Sequence, residues 1–206
     1  MGAVNYLRRA LEGKPFAEID LSALFTPEMV VVEEGIAHFP EVPSHVFYAI
    51  PNADLIVFES EAQVTGEGGI QMMREVLDFA EQMNVSSIYT AAAFAVPMSD
   101  TEPVQVLGVS NTESMRESLK PYGVEVLEQG HISGLNGLLL GFAASRNISA
   151  SCLLATMPHH VIQMPNPKAS RAILQVLRQI LDVEVDFAEL DGAVEQMGKV
   201  LKEIEE

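Results

Sequence analysis

From Asp54 onward, short apolar runs alternate with longer amphipathic stretches, and that alternation predicts strands interleaved with helices. Leu55-Ile56-Val57-Phe58 is a strand-length run. Gly66 to Met83 changes to helical spacing, with Ile70, Met73, Leu77 and Ala80 expected to face inward. Ser87 to Ala93 and Val104 to Val109 read as further strands, and Val124 to Leu127 as a short one. Ser110 to Glu113 has capping-box spacing and opens a helix to about Lys120, which Pro121-Tyr122-Gly123 ends. Asn166 followed by Pro167 predicts a capped helix to about Leu181 that buries Ile173, Val176, Leu177 and Ile180. Before Asp54 the pattern is less regular. An amphipathic helix from Val4 to Leu11 stops near Gly13 and Pro15, one strand covers Met29 to Val32, and the three prolines of Pro40 to Pro51 mark a loop or edge.

The stretch from Gly130 to Pro158 holds a helix feeding a strand. Leu135, Leu138, Leu139 and Phe142 recur at helical spacing, and Gly134, Gly137 and Gly141 line another side of the same helix. Each interior glycine costs about 1 kcal/mol against alanine, so the three together imply close approach of a strand or helix. Ala150 to Thr156 is short and almost wholly apolar, as a strand covered on both faces should be. Strands alternating with helices predict an α/β fold with a mostly parallel or mixed sheet and helices on both faces. The chain reads as a single α/β domain over 1–206, with 186–206 a C-terminal helix available for association.

In that last helix Phe187, Leu190, Val194, Met197, Leu201 and Ile204 form a heptad-like seam. The seam either packs on its own domain or pairs with another subunit.

Charge narrows the partners. Twelve basic against 29 acidic residues give a formal net charge of −17, which argues against nucleic acid and anionic membrane surfaces. No apolar run reaches the roughly 20 residues of a membrane span, and the start MGAVNYLRRALEGK has no signal-peptide pattern. The lone Cys152 forms no internal disulfide, so a cytoplasmic location is expected.

Candidate chemistry follows from the carboxyl-edge rule for parallel sheets. It nominates Glu59, Glu61, Gln63 and Thr65 after one strand, Ala93 and Phe94 after the next, then Ser110 with Asn111, and Met157 to His160. Glu59 and Glu61 share a face of an extended segment and could serve as acid and base. His159 and His160 are adjacent and point opposite ways in extended chain, so with His131 they match no metal-ligand spacing, and no metal is expected. Cys152 sits among apolar neighbours, as a structural thiol does. The segment entering the glycine helix is neither a Walker loop nor a dinucleotide fingerprint, and Ser133 is not a nucleophile elbow. Asn136 is a polar residue in that helix, which either satisfies backbone groups or faces a pocket.

GHISGLNGLLLG (130–141) followed by SCLLATMP (151–158) resembles the signature region of the proteasome assembly chaperone two family. Asn166 to Ser170, Asp54 to Gln63 and Glu34-Gly35-Ile36 fit the same pattern. The resemblance implies a three-layer αβα sandwich like that of purine nucleoside phosphorylases, symmetric homo-oligomers, and binding of proteasome subunits without established catalysis. Two departures stand out. The chain starts at the first helix, around Ala3 to Leu11, without the strand and Gly-x-Pro-Gly loop that usually precede it, which would leave a sheet edge open for pairing. It ends Ile204-Glu205-Glu206, without the hydrophobic-tyrosine-any tripeptide that archaeal chaperones can use to dock on proteasomes.

Two readings follow. The first is a non-enzymatic, assembly-chaperone-like protein that binds itself and proteasome subunits or other proteins, with no catalytic residue and no cofactor. The second is a small-molecule binder or enzyme, for a nucleoside or another ligand, using a cleft at the carboxyl edge with Glu59, Gln63, Asn136 and His159.

Overall fold

A computed structural model describes residues 2–24, 27, 29–62, 64–162 and 164–205, without the side chains of Leu24 and of residues 201–205. In chain order the elements are α1 (Ala3–Ala10), β1 (Lys14–Glu18), β2 (Val31–Glu33), β3 (Ile36–His38), β4 (His45–Ala49), β5 (Ile56–Ser60), α2 (Gly66–Gln82), β6 (Ser87–Val96), β7 (Val106–Ser110), α3 (Glu113–Leu119), β8 (Glu125–Val126), α4 (Gly134–Ser145), β9 (Ser149–Pro158), α5 (Pro167–Ile180) and α6 (Ala188–Glu205).

The strand predicted at Ala150 to Thr156 is the axis of the molecule. β9 pairs in parallel with β6 along its whole length, from Ser149 opposite Ser87 to Pro158 opposite Val96. On its other side it pairs with β7, and that ladder is antiparallel. With β8 parallel to β7, the four-stranded sheet runs β6-β9-β7-β8 and is mixed. β1, β4 and β5 form a separate antiparallel sheet in the order β1-β4-β5, and β2 with β3 form a two-stranded hairpin.

Period-two alternation along β9 builds both cores. Leu153 and Ala155 face α1, α5 and the start of α6, where Tyr6, Leu7, Ile173, Leu174, Leu177 and Leu190 are buried. Ala150, Cys152 and Leu154 face α2 and α4, meeting Met72, Met73, Leu77, Leu139, Leu140 and Ala143. The result is the expected three layers, helices over sheet over helices, around a strand with no water-facing side.

Several helices turn differently from their predicted phase. Gly69 abuts the Val64 carbonyl, and a Cβ there would lie 2.8 Å from that oxygen and 3.0 Å from Leu135. This close approach sets the inner line of α2 at Gly69, Met72, Met73, Val76, Leu77 and Ala80, and leaves Ile70 39% exposed. In α4 the buried positions are Leu139, Leu140 and Ala143, whereas Leu138 is half-exposed. The glycines of α4 do not act as one packing stripe. Gly134 takes a left-handed φ of 78°, Gly137 is hemmed in by Ile132 of the approaching loop, and Gly141 meets nothing within 4 Å. The close packing on β9 comes from Ala143, which is completely buried.

The helix ends follow local chemistry. Asn166 caps α5, its side chain accepting from the Ala169 N–H at 3.0 Å, with Pro167 at the first position. For α3 the cap is Thr112, accepting from Met115, rather than Ser110. Ser110 is still in the β7 ladder, its hydroxyl 2.7 Å from that of Ser151. α6 begins against its own domain: Leu190 is fully buried, Arg171 pairs with Asp191, and Arg171 and Arg178 sit 5.3 and 5.5 Å from the Phe187 ring. Val194 and Met197 are half-buried, and Leu201 and Ile204 lie beyond the described side chains. The first positions of the heptad-like seam therefore belong to the chain's own core.

Candidate functional site

Two features are candidates for a site: a cavity beside β5 and β6, and the β2–β3 hairpin. The cavity, about 730 Å³, opens where the carboxyl end of β5, the middle of β6 and the end of β9 come together beneath the first turns of α1 and α5. This is the edge that the strand-end rule nominates, and it gathers Glu59, Glu61, Ala93 and Met157. Ser110 and Asn111 are not there. β7 runs antiparallel to β9, so its carboxyl end lies at the opposite edge of the sheet. Asn111 instead clamps β9, donating to the Ile148 carbonyl at 2.8 Å and accepting from the Ala150 N–H at 2.9 Å.

Both carboxylates of the cavity are already engaged. Glu59 accepts from Arg8 Nε at 2.8 Å and from Asn5 Nδ2 at 3.2 Å, both on α1. Arg8 in turn lies 4.5 Å above the Tyr48 ring. Glu61 accepts from the Ser44 N–H at 2.8 Å, a bond that holds its carboxyl below the usual glutamate range. The oxygens of both carboxylates are thus bonded to groups of the chain itself rather than turned free into the cavity. Next to them His45 is buried, and burial pushes its imidazole below the ordinary histidine value, against a smaller opposing pull from Glu61. Ser60 donates to the Ala62 carbonyl, so its oxygen is free to accept from His45 Nδ1 at 2.8 Å.

The remaining sequence candidates scatter. Asn136 satisfies backbone: its Nδ2 donates to the Ala91 carbonyl at 3.0 Å, and its own carbonyl accepts from the Thr90 hydroxyl. His159 is exposed and is not part of the cavity lining, while His160 contacts Asp100 at 3.1 Å. Gln63 lies outside the described residues. Cys152 is fully buried, and burial pushes its thiol up, away from the thiolate a nucleophile requires. Among the described residues no three His, Cys, Asp or Glu side chains form a cluster able to hold a metal. Nor is any helix among them long and apolar enough to cross a membrane.

The hairpin was only half visible beforehand, as a single strand at Met29 to Val32. Its turn is Glu34-Gly35, both at positive φ (50° and 83°), the two-residue geometry that matches the twist of paired strands. The glutamate-glycine pair between two valine- and isoleucine-bearing runs was the available signal. Its apolar side chains are in water: Ile36 and Phe39 are each 71% exposed and Met29 70%, with Val30 and Val32 also exposed. Among the described residues its two strands pair only with each other. A lone two-stranded hairpin is at best marginally stable, and these exposed apolar side chains make it a candidate contact surface.

This fold, a mixed sheet between helix layers with an apolar hairpin at its side, can be set against known proteins. The PAC2 family model matches residues 2–205. The chain belongs to the PAC2 family. Among solved structures, PbaB of Pyrococcus furiosus superposes with a TM-score of 0.79 at 25% identity, over 99% of this chain and 87% of that one. PbaA of the same organism gives 0.78 at 23% identity, over 98% and 80%. A PAC2 family protein from Streptomyces avermitilis gives 0.76 at 23%, over 98% and 87%. An uncharacterised protein of Methanocaldococcus jannaschii is 24% identical over 205 residues, covering 98% of this chain and 76% of that relative. The three-layer arrangement is therefore the PAC2 fold.

Proposed function

We propose that this PAC2 family chain is a non-enzymatic, chaperone-like protein of the cytoplasm that self-associates and binds other proteins through the β2–β3 hairpin. The observation that carries this is the hairpin's apolar surface, left in water by a fold that buries equivalent residues elsewhere. On α6, exposed Val200 adds to the apolar surface available to a partner. PbaA is described as an archaeal homolog of a proteasome-assembly chaperone and PbaB as an archaeal proteasome activator, which makes proteasome components the natural partners to test. The engaged carboxylates of the cavity and the inert buried thiol support a role without catalysis.

Copies that each carry a formal −17 repel one another at long range, whereas burial of the hairpin attracts at contact. Salt should therefore strengthen association. Light scattering on the intact chain tests this at low and at about 0.5 M salt, where screening shrinks the repulsion to within a few ångströms. The expected result is an oligomer that grows more stable with salt and is abolished by Ile36→Ser with Phe39→Ser. A monomer under every condition would overturn self-association. A second reading, binding of a nucleoside-sized ligand, is favoured by the cavity volume, which falls in the range of small-molecule sites. Thermal stabilisation by such a ligand, abolished by Glu59→Gln, would establish it.

A further inference from the structure

The two faces of the β2–β3 hairpin differ. Residues opposite each other in an antiparallel ladder share a face, and alternate residues along each strand return to it. Val32 opposite Ala37 therefore defines one face, which Val30 and Phe39 extend just past the ends of the ladder. Val31, Glu33, Ile36 and His38 define the other, and the Glu33–His38 contact at 3.5 Å agrees with that division. The first face carries no polar side chain, yet Val30, Val32 and Phe39 are each more than half exposed.

The charge around this face has one sign. Residues 29–42 contain Glu33, Glu34 and Glu41 and no lysine or arginine. Glu34 at the turn and Glu41 beyond Phe39 are exposed, and among the described residues neither has an ion pair. A second copy offers little to neutralise them. At least six of its twelve basic residues, Arg8, Arg9, Arg116, Lys120, Arg146 and Arg171, already pair with its own carboxylates. Two copies meeting hairpin to hairpin bury apolar surface while setting acid against acid, and such like-charge contacts are costly at an interface.

We infer that the partner protein taken by the hairpin is of opposite charge: an amphipathic segment whose apolar side chains cover Val30, Val32 and Phe39 and whose flanking lysines or arginines meet Glu34 and Glu41. This rests on the hairpin being a contact surface and goes further by naming the chemistry of what covers it. The apolar face supplies attraction at contact, and the acidic rim selects the partner. Charge also speeds encounter, since a basic segment is drawn toward a chain of formal charge −17. The partner and a second copy compete for one surface, and salt moves the two in opposite directions. Screening removes the repulsion between copies and the attraction to the partner alike. At low ionic strength the basic partner therefore displaces the second copy.

The test uses the full chain at low salt and a short, acetylated and amidated amphipathic peptide with a leucine face flanked by lysines. Titration is followed by nuclear magnetic resonance, so that the residues contacted are seen. Two control peptides carry glutamate in place of lysine, or serine in place of leucine. The expected result is movement of the Val32, Ala37 and Phe39 amide signals with the lysine–leucine peptide, and binding at least about tenfold weaker for each control. Raising salt to about 0.5 M should weaken binding by about tenfold or more, the reverse of its effect on self-association. Val32→Ser with Phe39→Ser should abolish binding. Glu34→Gln with Glu41→Gln should weaken it by about fivefold, as loss of rim charges does. All four side chains are exposed, so the variants keep the fold.

Equal binding of the glutamate peptide at Phe39, or binding that salt leaves undiminished, would overturn the basic partner while leaving the hairpin a contact surface. Equal binding of the serine peptide would mean general attraction to an acidic chain and would also overturn it. Signals that move only outside the hairpin, or binding indifferent to Val32→Ser with Phe39→Ser, would remove the hairpin itself. Hairpin signals that respond to protein concentration and to no peptide would assign the face to a second copy, and no binding at about 1 mM peptide would equally sink the proposal.

Discussion

β9 and the β2–β3 hairpin both carry apolar side chains, and these meet opposite fates. β9 has a ladder on each side and a helix layer on each face, and Leu153 and Ala155 are completely buried. The hairpin has one ladder and leaves Val32, Ile36 and Phe39 to solvent. Apolar side chains therefore do not by themselves place a strand in the core. The number of neighbours that the topology supplies does. A strand supplied with neighbours contributes to the stability of the monomer, and one without them leaves its apolar surface for a partner to cover, as proposed for the hairpin.

This contrast is most easily broken at its buried end. Leu153→Ala should lower unfolding stability by about 2–5 kcal/mol in urea titration, as truncation in a closed core does. A loss below about 1 kcal/mol would mean that β9 is less enclosed than described. Next, Asn111→Ala leaves the Ile148 carbonyl and the Ala150 N–H without their partner and should cost about 1–3 kcal/mol, measured in the same way. Ile36→Ser with Phe39→Ser should change monomer stability by no more than about 0.5 kcal/mol while removing self-association, so light scattering and denaturation must disagree about its severity.

The smallest effect concerns pH. His45 is depressed when folded, chiefly by burial, so the unfolded chain takes up its proton more readily. Stability is then full above the unfolded value of 6.5 and falls as pH drops below it toward the folded value. His45→Gln should flatten thermal-melt temperatures across that acid limb. An unchanged slope would remove His45 as its cause.

What could be read beforehand divides along the line between local and distant causes. The start of α5 was fully legible, because Asn166 and Pro167 act on the helix they adjoin. The apolar run of β9 announced burial on both faces for the same reason. Strand direction is not local. Nothing within Val106 to Ser110 says that β7 runs antiparallel to β9, so the strand-end rule puts Ser110 and Asn111 at the wrong edge. Helix phase was lost where a single contact decides it, as when Gly69 against Val64 turns Ile70 outward. β1 follows the stop expected near Gly13 and Pro15, and β4 falls in the Pro40 to Pro51 stretch expected as a loop or edge; the two are antiparallel strands held by each other and by β5. At the candidate site, Glu59 was found by position, but its partners Arg8 and Asn5 lie some 50 residues away and were invisible until the fold brought α1 over β5.

The enclosure of Cys152 has a practical corollary. It is the sole cysteine and sits wholly inside the sheet, so any multimer that survives without reductant is held non-covalently. A maleimide dye can reach that sulfur only when β9 is uncovered, which turns a native residue into a clock for the opening of the molecule.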